Sequence, residues 1–535
     1  MRRFLYSVCL IGAIIPLQSD AQVSQSDALR YSQDILGGTA RFAAMGGAFA
    51  AVGGDVSTLA YNPAGIAVFT KNELEISPGL TLQSTNASNS SNSVTNQASS
   101  INLQSFGLVL TKKVRSKDKD DVGGWKSYNF GIAYNRMNNF NDNVSITTVS
   151  HTNSFADGLT QQAQGTYYNN LDGFYLNPAF QIGIIDTIPG SNYSNYFNII
   201  DQNLNKNGDY LLQTENITTT GSMGETDISF GGNYNDKLFI GATVGIVDVN
   251  YNLTDVYTET AEYDDQLFGL NNYSFTQNLN TSGEGINFKL GFIYRIMDWL
   301  RIGGAIHSPT FLSLTDNYST SWQADYNSIT NPYFYPGPTQ TFGDQTAYNY
   351  NITTPLKAIG GAAIVINKQG ILSADYEYVN YSNISFNSSD PNLAQGYGTA
   401  VNNAIGQQFI QANNLRFGFE WVLYPVSFRA GYAIYGNPYN TATVGYSSPR
   451  TTYSAGIGLK VNNVYFDFAY TLMQYSEQYA FYQGAETSTL KNNITNVIFT
   501  LGYKFGNANH NRMPRRERFQ QAYPPPPPPP PPGAY

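Results

Sequence analysis

The chain has 535 residues, of which 13% are charged and 14% aromatic, and its formal net charge is −9. Soluble domains carry about a quarter charged residues, so the composition argues against an ordinary cytosolic globular protein. The acidic balance offers no basic field for nucleic acid; even the turn Lys112–Asp121, with five basic residues, carries three acidic ones. Low charge with a slightly polar mean hydropathy fits strands whose faces meet lipid and water in alternation.

In chain order, Arg2 and Arg3 precede an apolar stretch, Phe4 to Leu17, and Ser19-Asp20-Ala21 supplies small residues before Gln22. This reads as a signal peptide over 1–21. A membrane anchor is the competing reading, but the run is too short to span a bilayer. The sole cysteine, Cys9, falls inside it. The mature chain is therefore expected to lack disulfides, thiol nucleophiles and cysteine metal sites. After Ala21 no run of about 18 apolar residues appears. The nearest, Phe42 to Val52, is short and rich in Gly and Ala. Without spanning helices, a closed barrel is the remaining way to satisfy a backbone in lipid.

Residues 22–69 do not alternate. Asp27 to Leu36 reads as a short helix ended by Gly37-Gly38. Gly46-Gly47, Gly53-Gly54 and Tyr61-Asn62-Pro63-Ala64-Gly65 follow. A compact segment this rich in small residues is expected to pack inside a barrel as a plug; a loose periplasmic extension is the alternative.

Residues 70–506 alternate in runs of about 10, the period of barrel strands. Ile286, Phe288, Leu290, Phe292, Tyr294 and Ile296 share one face. A tight turn at Met297-Asp298 leads to Leu300, Ile302, Gly304 and Ile306 on the same face. Comparable hairpins are expected at Asn235-Asp236, Lys368-Gln369, Tyr424-Pro425 and Asn462-Asn463. Long polar stretches separate them, at 85–100, 151–224, 258–284, 327–345, 388–412, 437–450 and 476–490. Short turns alternating with long outer loops are the rhythm of an outer-membrane barrel. Fourteen strands result if 126–150 is one long strand. Its alternation at Tyr128, Phe130, Ile132 and Tyr134 is broken by Asn135-Arg136-Met137-Asn138-Asn139. That run reads as a bulge or kink; two strands with a lost partner is the other reading. Val497, Phe499, Leu501, Tyr503 and Phe505 close the barrel on a terminal aromatic.

Lys289, Arg295, Arg301, Arg416, Arg429 and Lys504 alternate with lipid-facing residues and should face inward, together with Asp375, Glu377, Glu420 and Asp467. They read either as a salt-bridge network or as a cationic surplus that contacts a ligand carboxylate. The three histidines, His151, His307 and His510, make no metal or haem pair at useful spacing. No nucleophile elbow, zinc motif or phosphate loop is present, so neither enzymatic activity nor a cofactor is expected; an outer-membrane lipase is the enzyme alternative. The tail 507–535 carries four arginines and then Pro524 to Pro532. Nine prolines make a rod of roughly 28 Å, either a spacer or a dock for a periplasmic partner.

The run Arg41 to Asp55 (RFAAMGGAFAAVGGD) with Asn62-Pro63-Ala64-Gly65 resembles the hatch of the FadL family of outer-membrane transporters. Phe130 to Arg136, Asn287 to Arg295, Trp299 to Gly303, His307 to Thr310 and Asp375 to Tyr378 resemble a Bacteroidetes-type branch. The resemblance implies an all-β fold, a 14-stranded antiparallel transmembrane β-barrel with an N-terminal hatch in the lumen. It assigns Gly46, Gly47, Asn62, Pro63, Ala64 and Gly65 to that hatch. It implies transport of a hydrophobic small-molecule ligand, such as a long-chain fatty acid, with lateral release into outer-membrane lipid beside a kinked third strand, here at Asn135 to Asn139. The long 151–224 insertion and the tail depart from the pattern. A FadL-like barrel acting as a non-transporting subunit of a secretion or surface-assembly machine is the alternative function.

Overall fold

The computed structural model describes residues 24–33, 35, 37–114, 124–200, 210–262, 270–326, 339–390, 396–440 and 448–506. The signal peptide 1–21, the tail 507–535 and most of the turn at 112–124 lie outside the described residues.

Fourteen strands among the described residues form the wall. They are β1 (Asn72–Ser88), β2 (Ser93–Lys113), β3 (Trp125–Asn139, resuming at Asp142–Ser150), β4 (Tyr210–Tyr234), β5 (Leu238–Glu262) and β6 (Leu270–Met297). Then come β7 (Leu300–His307 and Phe311–Tyr326), β8 (Thr339–Thr353 and Lys357–Ile366), β9 (Gly370–Asn380), β10 (Gln411–Leu423) and β11 (Val426–Tyr435). β12 (Arg450–Val461), β13 (Val464–Tyr479) and β14 (Ser488–Phe505) complete the series. Neighbours pair antiparallel, and β14 returns to β1 in a register running from Asn72↔Phe505 to Ser88↔Thr489. The wall is therefore closed, and closure removes the unpaired edges of an open sheet. No helix among the described residues is long and apolar enough to cross a membrane.

The expected hairpins at Asn235-Asp236, Lys368-Gln369, Tyr424-Pro425 and Asn462-Asn463 are all present as turns. Asn235, Asp236, Lys368 and Asn462 have positive φ, as tight hairpin turns require. The outward face is apolar over a band. Ile240 and Ile246 on β5 are 40% and 42% exposed, and Phe288 and Leu290 on β6 are 52% and 65%. One step higher the same face carries exposed Asp248 and Glu284, paired in register. Two like charges side by side mark the upper limit of lipid contact.

Two expectations are corrected here. The polar stretches 85–100 and 258–284, and 210–224 of the insertion, are strand over most of their described residues rather than loop. β4, β5 and β6 run for 25, 25 and 28 residues, whereas a span needs only about 9–11. Their upper halves stand above the lipid, where neither face touches hydrocarbon and hydropathy has no reason to alternate. Only 89–92 separates β1 from β2. Second, the helix predicted over Asp27 to Leu36 is confined to Gln25–Arg30. Ser24 caps it through a capping box with Asp27, and beyond Arg30 the chain extends and bonds to β3.

The interior is filled at three levels. Residues 39–69 occupy the lower lumen. Above them, Ala28, Leu29 and Tyr31 pack with Met137, Phe140 and Val249 of the wall and with Val401 and Ile405 of a loop helix, Tyr397–Gln408. At the top, the insertion folds as a cap. Helices Phe155–Ala163 and Leu176–Gln181 and the hairpin Ile185–Thr187/Tyr196–Asn198 seat Leu159, Tyr175 and Ile182 on Tyr273, Phe275 and Trp322 of the raised wall.

Candidate functional site

The hatch is built by side chains that close tight turns and then reach the wall. Thr39 caps the helix Ala40–Ala44 by accepting from Phe42 N at 3.1 Å. Its hydroxyl donates to both oxygens of buried Asp55, at 3.0 and 2.9 Å. Gly46 and Gly47 have φ of 63° and 74°. A Cβ on Gly46 would stand 3.0 Å from Phe417 O and Tyr432 N, so only glycine lets this turn approach β10 and β11.

Asn62 is the pivot. Its Nδ2 donates to Ala50 O at 2.6 Å and to Phe292 O of β6 at 3.2 Å. Its Oδ1 accepts from Ala64 N at 3.1 Å. Pro63 opens a 3-10 turn, Pro63–Val68, in which Ala64 is fully buried. Gly65 leaves no room for a Cβ beside Thr58, whose Oγ1 would lie 2.3 Å away. A row of glycines in register, Gly231↔Gly241↔Gly291 on β4, β5 and β6, forms the trough for this turn. A Cβ at Gly241 would meet Pro63 O at 2.2 Å, and one at Gly291 would meet Asn62 Oδ1 at 1.9 Å.

Inward polar groups bind the hatch around the wall. Thr500 accepts from Ala40 N at 2.8 Å, and Asp375 accepts from Ala50 N at 2.7 Å. Asn129 donates to Ile66 O and Phe69 O, and Thr243 donates to Leu59 O. His307 Nε2 lies 2.8 Å from Tyr61 O. That geometry places His307 as a wall group holding the hatch.

The inward cations divide into two sets. Lys289 is ion-paired with Glu225 and Asp227, all three buried. Arg416 pairs with Glu377 at 3.0 Å and also donates to the Tyr61 hydroxyl at 2.8 Å. Arg429 bridges Glu420 and Asp467 at 2.7 and 2.6 Å, and Glu420 also holds Arg41. Arg295 and Arg301 are different. They sit directly opposite one another on β6 and β7. Each has a buried Nε without a hydrogen-bond partner, and neither has an ion pair among the described residues. Arg301 opens, with Arg41, Glu73 and Lys504, onto a cavity of about 460 Å³ at the lower mouth.

The third strand carries the break. Its ladder with β2 runs from Lys113↔Ser127 up to Ser105↔Asn135 and stops there. Above that point β2 pairs only with β1, and the Asp142–Ser150 segment pairs only with β4. Met137 is the bulged residue, since Arg136 opposes Gly224 while Asn138 opposes Met223. Side chains replace the ladder across the gap: Arg136 Nε donates to Leu103 O at 3.3 Å, Asn139 Nδ2 to Ser100 Oγ at 3.2 Å and Asn143 Nδ2 to Gln97 O at 3.2 Å, and Asn96 and Ser145 exchange two bonds at 3.1 and 3.2 Å. Asn135 is fully buried and ties Ser105 to Asp227. From the lumen side, Ile35 N donates to Met137 O at 2.8 Å and Gly37 N to Arg136 O at 3.0 Å. Asn138 reaches Gln33 O at 3.4 Å. The N-terminal segment thus satisfies carbonyls that a continuous wall would have paired. Behind it lies a cavity of about 30 Å³ between Tyr31, Met137, Met223 and Lys289. That is room for water, not for a hydrocarbon chain.

Fold and site together define a membrane-spanning β-barrel of the outer-membrane type, plugged by its own N-terminal segment. Its architecture is that of the FadL transporters. A Pseudomonas aeruginosa FadL homologue aligns over 89% of this chain and 100% of its own, with a TM-score of 0.50 and 12% identity. The Pseudomonas putida toluene transporter TodX aligns over 88% and 99%, with a TM-score of 0.47 and 13% identity. The Ralstonia pickettii toluene transporter TbuX aligns over 88% and 98%, with a TM-score of 0.45 and 15% identity. No family model matches the sequence, and no curated protein matches it. Sequence reasoning missed the glycine row, although inward glycines on three successive strands are a readable sign of close backbone approach. It also missed the strap at Ile35 and Gly37, which is made by backbone and has no side-chain signature.

Proposed function

We propose that this chain carries a hydrophobic small molecule across the outer membrane and releases it sideways into the bilayer between β2 and β3. The observation that carries the reading is the end of the ladder at Ser105↔Asn135, with the exposed carbonyls of Arg136 and Met137 covered by the N-terminal segment. A molecule with about 300 Å² of apolar surface would lose on the order of 7 kcal/mol by leaving through the watery lower mouth, at about 25 cal/mol per Å². Sideways exit avoids that loss and needs a gap in the wall. Asn135, Arg136, Met137, Asn138 and Asn139 form the gate. Arg295 and Arg301, the lumenal cations without an ion pair among the described residues, lie beside the lower mouth and off this sideways route. The Pro-rich tail is read as a spacer or dock for a periplasmic partner.

The test is a disulfide across the gap. Ser100→Cys with Asn139→Cys places two thiols where side chains now touch, in a chain whose only native cysteine is Cys9. Uptake of a hydrophobic fluorescent probe is expected to fall on oxidation and recover on reduction. A control pair, Gln474→Cys with Asn493→Cys, lies on β13 and β14, where pairing is continuous, and is expected to have no effect. Unchanged uptake with a fully cross-linked gap would rule the gate out.

A further inference from the structure

We infer that the outermost tip of the cap binds an uncharged glycan chain standing on the same cell surface. The tip consists of two short loops. Gly165 N donates to Ser194 O at 2.7 Å, and Tyr168 N donates to Tyr193 O at 3.2 Å, which ties them together. Three tyrosine rings meet across this seam. Tyr167 and Tyr168 lie 4.7 Å apart, Tyr168 and Tyr193 5.7 Å, and Tyr167 and Tyr193 6.4 Å at 87°. Buried rings would need no explanation, but Tyr167 is 42% and Tyr193 60% exposed.

The backbone gives the independent observation. Asn192 and Tyr193 are both left-handed, with φ of 54° and 58°. The two residues sit in a tight turn closed by Ser194 N donating to Ser191 O at 3.4 Å, where glycine takes left-handed positions without steric penalty. A bulky tyrosine there is a conformational outlier. Its ring lies largely in solvent, so burial does not repay the strain. Strain held at an exposed loop tip points to a function for the side chain that imposes it.

The surroundings select the ligand. No charged residue occurs in 160–171 or 187–200. Exposed amides at Asn169, Asn170, Asn192 and Asn195 surround the rings. A nucleic acid or acidic polymer would require cations, and a lipid would require a continuous apolar groove. A neutral sugar chain requires flat rings for its C–H faces and amides for its hydroxyls. Tyrosine supplies such a face with little entropy to lose.

The whole purified barrel is used, in a detergent without a sugar headgroup, with calorimetric titration as the readout. The probes are the delipidated neutral polysaccharide of the expressing cell's own surface, maltoheptaose, cellohexaose and an oligogalacturonate. Binding to the surface polysaccharide, but not to the anionic oligomer, is expected. Tyr193→Gly relieves the turn, so its thermal stability should equal or exceed wild type while affinity falls at least tenfold. Tyr167→Ala should weaken binding similarly. The inference is overturned if wild type binds no surface polysaccharide, if only the foreign glucans bind, or if Tyr193→Gly binds as tightly as wild type. Tyrosine-dependent capture of a surface protein with no glycan bound would overturn it as well.

Discussion

One carboxylate latches the cap's first helix to the wall, and removing it should loosen that helix without unfolding the wall, while Phe174 and Ile182 keep their own bonds to Thr320, Trp322 and Tyr326. Glu259 is 1% exposed and accepts five hydrogen bonds. Gln213, Tyr257 and Tyr273 donate from the wall at 2.9, 2.7 and 2.8 Å. Ser154 Oγ and Phe155 N donate from the cap's first helix at 2.5 and 2.9 Å. Only the last two cross between cap and wall. Hydrogen bonds to a charged group contribute about 1.5–3 kcal/mol each, so losing two in Glu259→Ala should loosen the first helix by about 3–6 kcal/mol. At about 1.4 kcal/mol per tenfold, amide exchange in Phe155–Ala163 should accelerate roughly 10² to 10⁴-fold, and Leu176–Gln181 less. Apolar packing on Trp322 and Phe275 limits the effect to opening rather than loss of the cap's fold. Glu259→Gln keeps one acceptor oxygen but turns an amide toward the donors, and should fall between. Exchange is read by mass spectrometry on the detergent-solubilised barrel, with β13 and β14 as internal reference. Cap exchange equal to wild type in Glu259→Ala would refute the latch, as would equal acceleration in β13 and β14.

Three further outcomes are expected. Gly291→Ala puts a methyl where Asn62 Oδ1 stands; overpacking of about 1–3 kcal/mol should displace the hatch turn and raise single-channel conductance in planar bilayers, whereas Gly360→Ala, which meets nothing within 4 Å, should not. Lys289→Ala leaves Glu225 and Asp227 buried without their cation and should destabilise by about 3–5 kcal/mol, seen as heat-modifiable gel migration at a lower temperature, with partial recovery in Lys289→Ala/Glu225→Gln/Asp227→Asn. Above the lipid, burial pushes the Asp255 carboxyl up to about 6, a hydrogen bond with Glu215 opposing it. A raised folded pKa contributes stability that is full below the ordinary Asp value and lost as pH rises through about 6. After correction for the base-catalysed rise of intrinsic amide exchange with pH, the upper wall should therefore be less protected at pH 7.5 than at pH 5, and Asp255→Asn should flatten that dependence.

The barrel was legible because lipid imposes a period of two on every strand that touches it. Phe288, Leu290 and Phe292 alternate in sequence because one face meets hydrocarbon. The same rule hid the raised wall. Between Tyr210 and Gly224 each strand has water or protein on both sides, so Leu211 and Glu215 can share the inner face and no pattern survives. The cap is hidden for another reason. Its core is borrowed from Tyr273, Phe275 and Trp322, residues far away in sequence, so 151–200 read alone looks like a polar insertion. Of the lumenal cations, alternation placed all six inward but could not say which found carboxylates. That depends on cross-strand register, such as Arg301↔Arg295, where like charges meet.

The bulge and the strap belong to one design. A strand that loses its partner above Asn135 exposes carbonyls, and an unpaired carbonyl in an apolar setting costs free energy comparable to a lost hydrogen bond. Here Arg136 O and Met137 O are satisfied by Gly37 and Ile35 rather than by β2. The gap is therefore covered by the extension of the helix that carries Leu29 into the upper core. Anything that pulls that helix from between Met137, Phe140 and Tyr251 also withdraws the two donors from the gap. The hatch, residues 39–69, is held by many wall contacts and need not move. Opening would then be a local event of the first dozen or so described residues, and it couples occupancy of the upper lumen to the state of the wall. Cysteines at Tyr31 and Tyr251, joined by a bifunctional thiol cross-linker long enough to span the two lost rings, should abolish uptake while leaving the Ser100/Asn139 gap itself uncross-linked. Full uptake with that tether in place would show that the gap opens without the helix.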